Sequence, residues 1–244
     1  MKKTTRNLAP FAACSEPGSE PLVTKHFRFS EVAQAPNGPG VYSWYYRIEL
    51  TDKDIATCIE NVELENNPEI KETIVHAFLD THLFRYYKEV PYFVALSGQL
   101  KPRYEGLIDH RNDVSASLIR RLAATPANLY ELKRTLRLAI PLFASPIYIG
   151  VATRLRERLM QHVRLIDSLQ HLRASAVDYL YVPAQGANEE EDRDHKFAYE
   201  VSMVRGFRPS SLIVNTLELP VDDSIRYDLE NILNRINYPL CGRN

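Results

Sequence analysis

Arg158 is followed four residues later by His162, and both lie behind Tyr148 and Gly150 in the run SPIYIGVATRLRERLMQH at 145–162. These side chains suit phosphate-ester chemistry. A guanidinium grips anionic oxygens through a planar fork, an imidazole exchanges a proton near neutral pH, and a phenol orients a nucleophile or a phosphate. At 100° per residue, Leu155, Leu159, Val163, Ile166 and Leu169 form one apolar stripe of a helix, with Arg158 and His162 on or beside it. A guanidinium so close to a core needs an anionic partner, because an unpaired buried charge is costly. A second helix, over about 193–205, places Phe197, Val201 and Val204 on its stripe and Glu200 on its flank. If both helices pack on one sheet, Arg158 and Glu200 face a shared site. A structural Arg–Glu pair knitting the helices together is the other reading, and the two are compatible.

The elements that must hold these groups are short. Ile147, Tyr148 and Ile149 are strand formers closed by Gly150, and Asn37-Gly38-Pro39-Gly40 punctuates the entry to an aromatic strand over 41–48 that carries Tyr42, Trp44, Tyr45 and Tyr46. Downstream, 178–182 is β-rich and supplies a natural third strand, 212–215 is a short extended piece, and 222–235 is an amphipathic helix. The acidic run 188–192 reads as a solvated loop or first helical turn rather than a metal site.

Taken in order, Gly40-Val41-Tyr42, Tyr148-Ile149-Gly150, Arg158, His162, Glu200 and Asn215 resemble the signature of the GIY-YIG nucleases. The resemblance spans 40–47 and 145–215, so well over half of the chain has no part in it. It implies an α+β fold with a small antiparallel three-stranded sheet flanked by helices. It also implies metal-dependent hydrolysis of phosphodiester bonds in double-stranded DNA, with Mg²⁺ or Mn²⁺ held by Glu200. Tyr42, Tyr148, Arg158, His162, Glu200 and Asn215 would form the catalytic set, with the general base open between the tyrosines and His162. Asn231, Asn234 and Asn237 rival Asn215, and Tyr45 and Tyr46 rival Tyr42. Val151 stands where the family often keeps lysine or serine, so no amine acts from that position. A sequence-specific type II restriction enzyme fits best. A repair or mobile-element nuclease, or a non-catalytic nucleic-acid-binding or interaction protein on the same scaffold, are the alternatives.

About a hundred residues separate Tyr42 from Tyr148, where the family uses a short connection. A connection of that length without structure is improbable, so 51–144 is expected to form an inserted, mainly helical subdomain, with helices over 52–64, 68–87, 114–123 and 126–138. The nuclease-like unit is then 23–50 with 145–244, and 1–22 is a flexible arm whose apolar run is broken by Pro10. Within the insertion, 92–108 reads as a strand pair whose Lys101 and Arg103, with His110 and Arg111 beyond, offer a phosphate-contacting patch. Arg154 and Arg156 at the start of the central helix are further DNA-contact candidates.

The formal net charge is −1, so any nucleic-acid surface must come from clustering rather than overall balance. Three widely spaced cysteines fit no metal-ligand pattern and suit a cytoplasmic setting. No stretch is long enough to cross a membrane. Two strand cuts by a one-site protomer favour a homodimer or sequential nicking.

Overall fold

The computed structural model describes residues 23–88, 92–98, 101–108, 114–174 and 189–241. In chain order it forms β1 (Lys25–Arg28), β2 (Gly40–Tyr46), α1 (Asp52–Leu64), α2 (Pro68–Leu79), β3 (Tyr92–Gly98) and β4 (Lys101–Ile108). There follow α3 (Ala116–Ala124), α4 (Asn128–Phe143), β5 (Tyr148–Ala152), α5 (Leu155–Ala174), α6 (Glu189–Tyr199), β6 (Leu212–Glu218) and α7 (Asp223–Asn237).

The chain is α+β, and its principal sheet runs β1-β6-β2-β5 with every described pairing antiparallel. The described residues therefore hold four strands in this sheet, where three were expected. The expected third strand at 178–182 lies outside the described residues. The extended piece at 212–215 is longer than its sequence suggests and pairs along the whole of β2, from Gly40 opposite Glu218 to Tyr46 opposite Leu212. It can do so because Leu212, Val214 and Thr216 alternate inward and match the buried alternation of β2. β1 then covers the outer edge of β6.

β2 is central, and its period-two pattern buries Gly40, Tyr42, Trp44 and Tyr46 on one face. Against that face lie α5 and α6, with Leu155, Leu159, Ile166, Phe197 and Val201 completing one apolar cluster. α7 packs against β5 and β2. After α6 the helix widens into a π turn over Glu200–Val204, and Gly206 ends it with φ of 65°, a left-handed conformation that favours glycine.

A second apolar cluster lies wholly within residues 50–129, built from α1, α2, α3 and the start of α4 around Ile55, Val62, Val75, Leu79, Leu122 and Leu129. Lys133 is buried beside it and donates to Asp52 at 2.7 Å, tying α4 to the first turn of α1. The helices expected over 52–64 and 68–87 are present, the latter finishing as a π turn and a 3-10 turn. β3 and β4 pair as a separate two-stranded sheet. The region returns to the principal sheet where the Tyr87 hydroxyl donates to the carbonyl of Tyr46 and Arg205 donates to those of Tyr86 and Lys88. No helix among the described residues is long and apolar enough to cross a membrane.

Candidate functional site

Strand register brings the two sequence-distant tyrosines together. Tyr42 lies opposite Gly150 and Trp44 opposite Tyr148, so both phenols project from the same face, with ring centroids 6.1 Å apart. Gly150 is required by this arrangement, because a β-carbon there would sit 2.5 Å from the Tyr42 hydroxyl. The turn before β2 also fixes the central helix. The amides of Leu155 and Arg156 donate to the carbonyls of Gly38 and Pro36, satisfying donors that a helix start leaves open. Arg158 and His162, one turn apart, then fall on the inner face of α5, above β2 and β5.

The anionic partner that Arg158 needs is Asp194 of α6, not Glu200. An Arg158 terminal nitrogen lies 2.8 Å from Asp194 Oδ2, and His162 Nε2 lies 2.8 Å from Asp194 Oδ1. The same Nε2 is 3.3 Å from the Tyr42 hydroxyl. A bare imidazole nitrogen against a carboxylate oxygen at 2.8 Å would oppose two lone pairs, so Nε2 carries a proton and donates it to Asp194. The Tyr42 oxygen is then the longer, secondary acceptor. Trp44 stacks on His162, and Phe197 contacts His162 and Tyr148, so aromatic rings wall the network.

His162 and Asp194 are fully buried, Tyr42 and Tyr148 nearly so, and the Arg158 side chain keeps 11% of its surface. Burial pushes the Tyr42 phenol well above its ordinary range, helped by Tyr148 and Asp194 and opposed by Arg158. Tyr148 is raised for the same primary reason, with Asp194 and Glu230 adding to it. Glu230 of α7 faces Arg193 at 3.9 Å, which adds a second carboxylate–arginine pair near Tyr148. Neither phenol is a ready base in this state.

Asp194 and Glu230 are the acids that sequence reasoning missed. A signal for the first was present: Asp194, Phe197 and Val201 are spaced i, i+3, i+7, which puts a carboxylate on the apolar stripe itself. Glu200 instead opens the π turn, half-buried, where its charge acts on Cys241 alongside that of Arg205. Asn215 pairs with Ser43, which turns it to the face opposite Tyr42, and its Oδ1 lies 2.7 Å from His26 Nδ1. There it lines a cleft of about 170 Å³ with Tyr45, Ile149, Leu233 and Asn237.

The candidate DNA contacts lie on β4 and at the start of α5. Arg154 pairs with Glu157 at 2.9 Å, and Arg156 donates to the carbonyl of Ala35 at 2.7 Å. Lys101 opens β4, and Arg103 pairs with Glu105 at 2.6 Å. His110 and Arg111 lie outside the described residues.

Among the described residues no group of three His, Cys, Asp or Glu side chains is placed to hold a metal ion. The two oxygens of Asp194 face His162 and Arg158, Glu230 faces Arg193, and Glu200 shares its surroundings with Arg205. A hard ion held by one carboxylate would have to compete with an arginine at Asp194 and at Glu230. Cys58 and Cys241 are buried free thiols.

No family model, curated protein or solved structure matches this chain.

Proposed function

We propose that this chain is a DNA endonuclease of the GIY-YIG type, acting on phosphodiester bonds in double-stranded DNA, with sequence-specific restriction as its most fitting role. The observation that carries this reading is the network of Tyr42, His162, Asp194 and Arg158, beside Tyr148, on one face of two adjacent strands. Phosphodiester hydrolysis needs a cationic grip on the phosphate, a group that moves a proton, and rigid placement of both. Arg158 supplies the grip, and Asp194 holds the His162 ring by a hydrogen bond while its other oxygen lies against the guanidinium. His162 is the proton-handling residue, since burial keeps both phenols protonated. Tyr42 and Tyr148 orient the phosphate or the attacking water through their hydroxyls. The division into 23–50 with 145–244 and an inserted 51–144 belongs to this proposal and is supported by the two separate apolar clusters.

The resemblance implies Mg²⁺ or Mn²⁺ on Glu200. Among the described residues no three-ligand group holds such an ion, so no step is derived through it. Comparing Glu200→Gln with Asp194→Asn in a plasmid-cleavage assay with each metal separates the contributions. Asp194→Asn is expected to lower cleavage about a hundredfold, in the range of lost proton-transfer function, and Glu200→Gln less than about tenfold. Undiminished cleavage by Asp194→Asn, or no cleavage of any duplex by the wild type, would sink the proposal.

The complete burial of His162 and Asp194 favours one second reading, a purely structural ion network on a non-catalytic binding protein. In that case Asp194→Asn lowers the melting temperature while the wild-type chain binds DNA and never cuts it.

A further inference from the structure

Helix α7 carries an apolar stripe that the other described residues leave exposed. Ile225, Leu229, Ile232 and Ile236 follow a four-three-four spacing, the repeat of a coiled-coil seam. Ile225, Ile232 and Ile236 remain 54%, 55% and 68% exposed, and Leu229 is half-buried. At 100° per residue the three isoleucines fall within about 40° of one another. They lie about 100° around the axis from the face bearing Arg226, Glu230, Leu233 and Asn237, which are buried or half-buried. A lateral seam on a helix already seated on its domain is a surface that a second helix can enter without disturbing the first.

We infer that α7 pairs antiparallel with α7 of a second copy of this chain, making a two-fold dimer. The charge pattern selects this occupant. In the antiparallel register that sets Ile225 against Ile236 and Leu229 against Ile232, Asp228 of each copy faces Arg235 of the other. Both residues are exposed, both lie on the outer flank of the stripe, and neither takes part in an ion pair within the described chain. A parallel pairing would set Asp228 against the buried flank and lose both contacts. The self-complementarity is that of an isologous interface, in which residue i meets j and j meets i. It depends only on α7, not on the nuclease reading.

The seam has four side chains per copy, so a dissociation constant on the order of micromolar is expected. Sedimentation equilibrium of the full chain across micromolar to sub-millimolar concentrations measures it. Ile232→Glu is expected to raise the dissociation constant at least about tenfold, as is Asp228→Arg, which sets like charges together twice. Combining Asp228→Arg with Arg235→Asp restores the pairing in reversed sense and should return the constant to within about threefold of wild type. All three changes are on exposed positions, and unchanged far-UV circular dichroism and melting confirm that each variant is folded. A monomer at every concentration overturns the inference, as does a dimer indifferent to these substitutions or one that the double exchange fails to rescue.

Discussion

Tyr42, Tyr46 and Tyr148 hold their protons well above the ordinary phenol range, with burial the largest cause for each. Below about pH 10 both folded and unfolded chains keep these protons. Above it the unfolded chain releases them while the folded chain does not, so their stabilising contribution falls as pH rises from about 10 upwards. Absorbance at 295 nm, recorded as the pH is raised past about 10, reads phenol ionisation directly. Tyr42, Tyr46 and Tyr148 should ionise only with loss of far-UV circular dichroism, and their reversible ionisation with the fold intact would contradict the burial account. The meeting of Tyr42, Tyr148, Arg158 and His162 was legible in the sequence because it depends on two local rules, strand alternation and the helical repeat. Which acid joins them depends on how two helices are rotated against one sheet, and that rotation is set by Phe197 and Val201 packing into the core. Glu200, six positions after Asp194, consequently faces elsewhere.

Elements with chemical punctuation at their ends match the sequence closely, and elements bounded only by periodicity drift. α1 begins with a reciprocal cap in which Thr51 Oγ1 accepts from the amide of Asp54 while Asp54 Oδ2 accepts from the amide of Thr51. Its extent over Asp52–Leu64 was readable for that reason. Thr51→Ala should cost about 1 kcal/mol, read as a lowered midpoint in urea with an unchanged slope. An unmoved midpoint would mean that packing of Ile55 and Val62 alone sets this helix. α4, by contrast, passes Leu138 and continues through Pro141 to Phe143. Apolar periodicity fades there, because Leu138, Leu142 and Phe143 are exposed, so no pattern marks its end. β6 was legible only as far as Asn215, since its last residues are ordered by pairing with β2, a partner more than 160 positions away.

For the whole molecule, the proposed nuclease reading makes Lys101 and Arg103 part of a DNA-contacting surface. Arg103 already pairs with Glu105, so the double change Lys101→Ala with Arg103→Ala should flatten the slope of log affinity against log salt by about one unit rather than two. Fluorescence anisotropy of labelled duplex at several salt concentrations measures this, and an unaltered slope would leave the hairpin out of the DNA surface. The placement of β5 beside β2, with about a hundred residues between them, also has a consequence in time. At synthesis rates of about 5–20 residues per second, the β2 ribbon with Tyr42, Trp44 and Tyr46 leaves the ribosome roughly 5–20 s before its neighbour β5, and β6 comes later still. During that interval the four-helix cluster can close on local contacts, while an aromatic strand with two open edges waits for both partners. The nascent chain is thus most vulnerable to aggregation midway through its own synthesis, and slowing translation across 51–144 would lengthen that exposure.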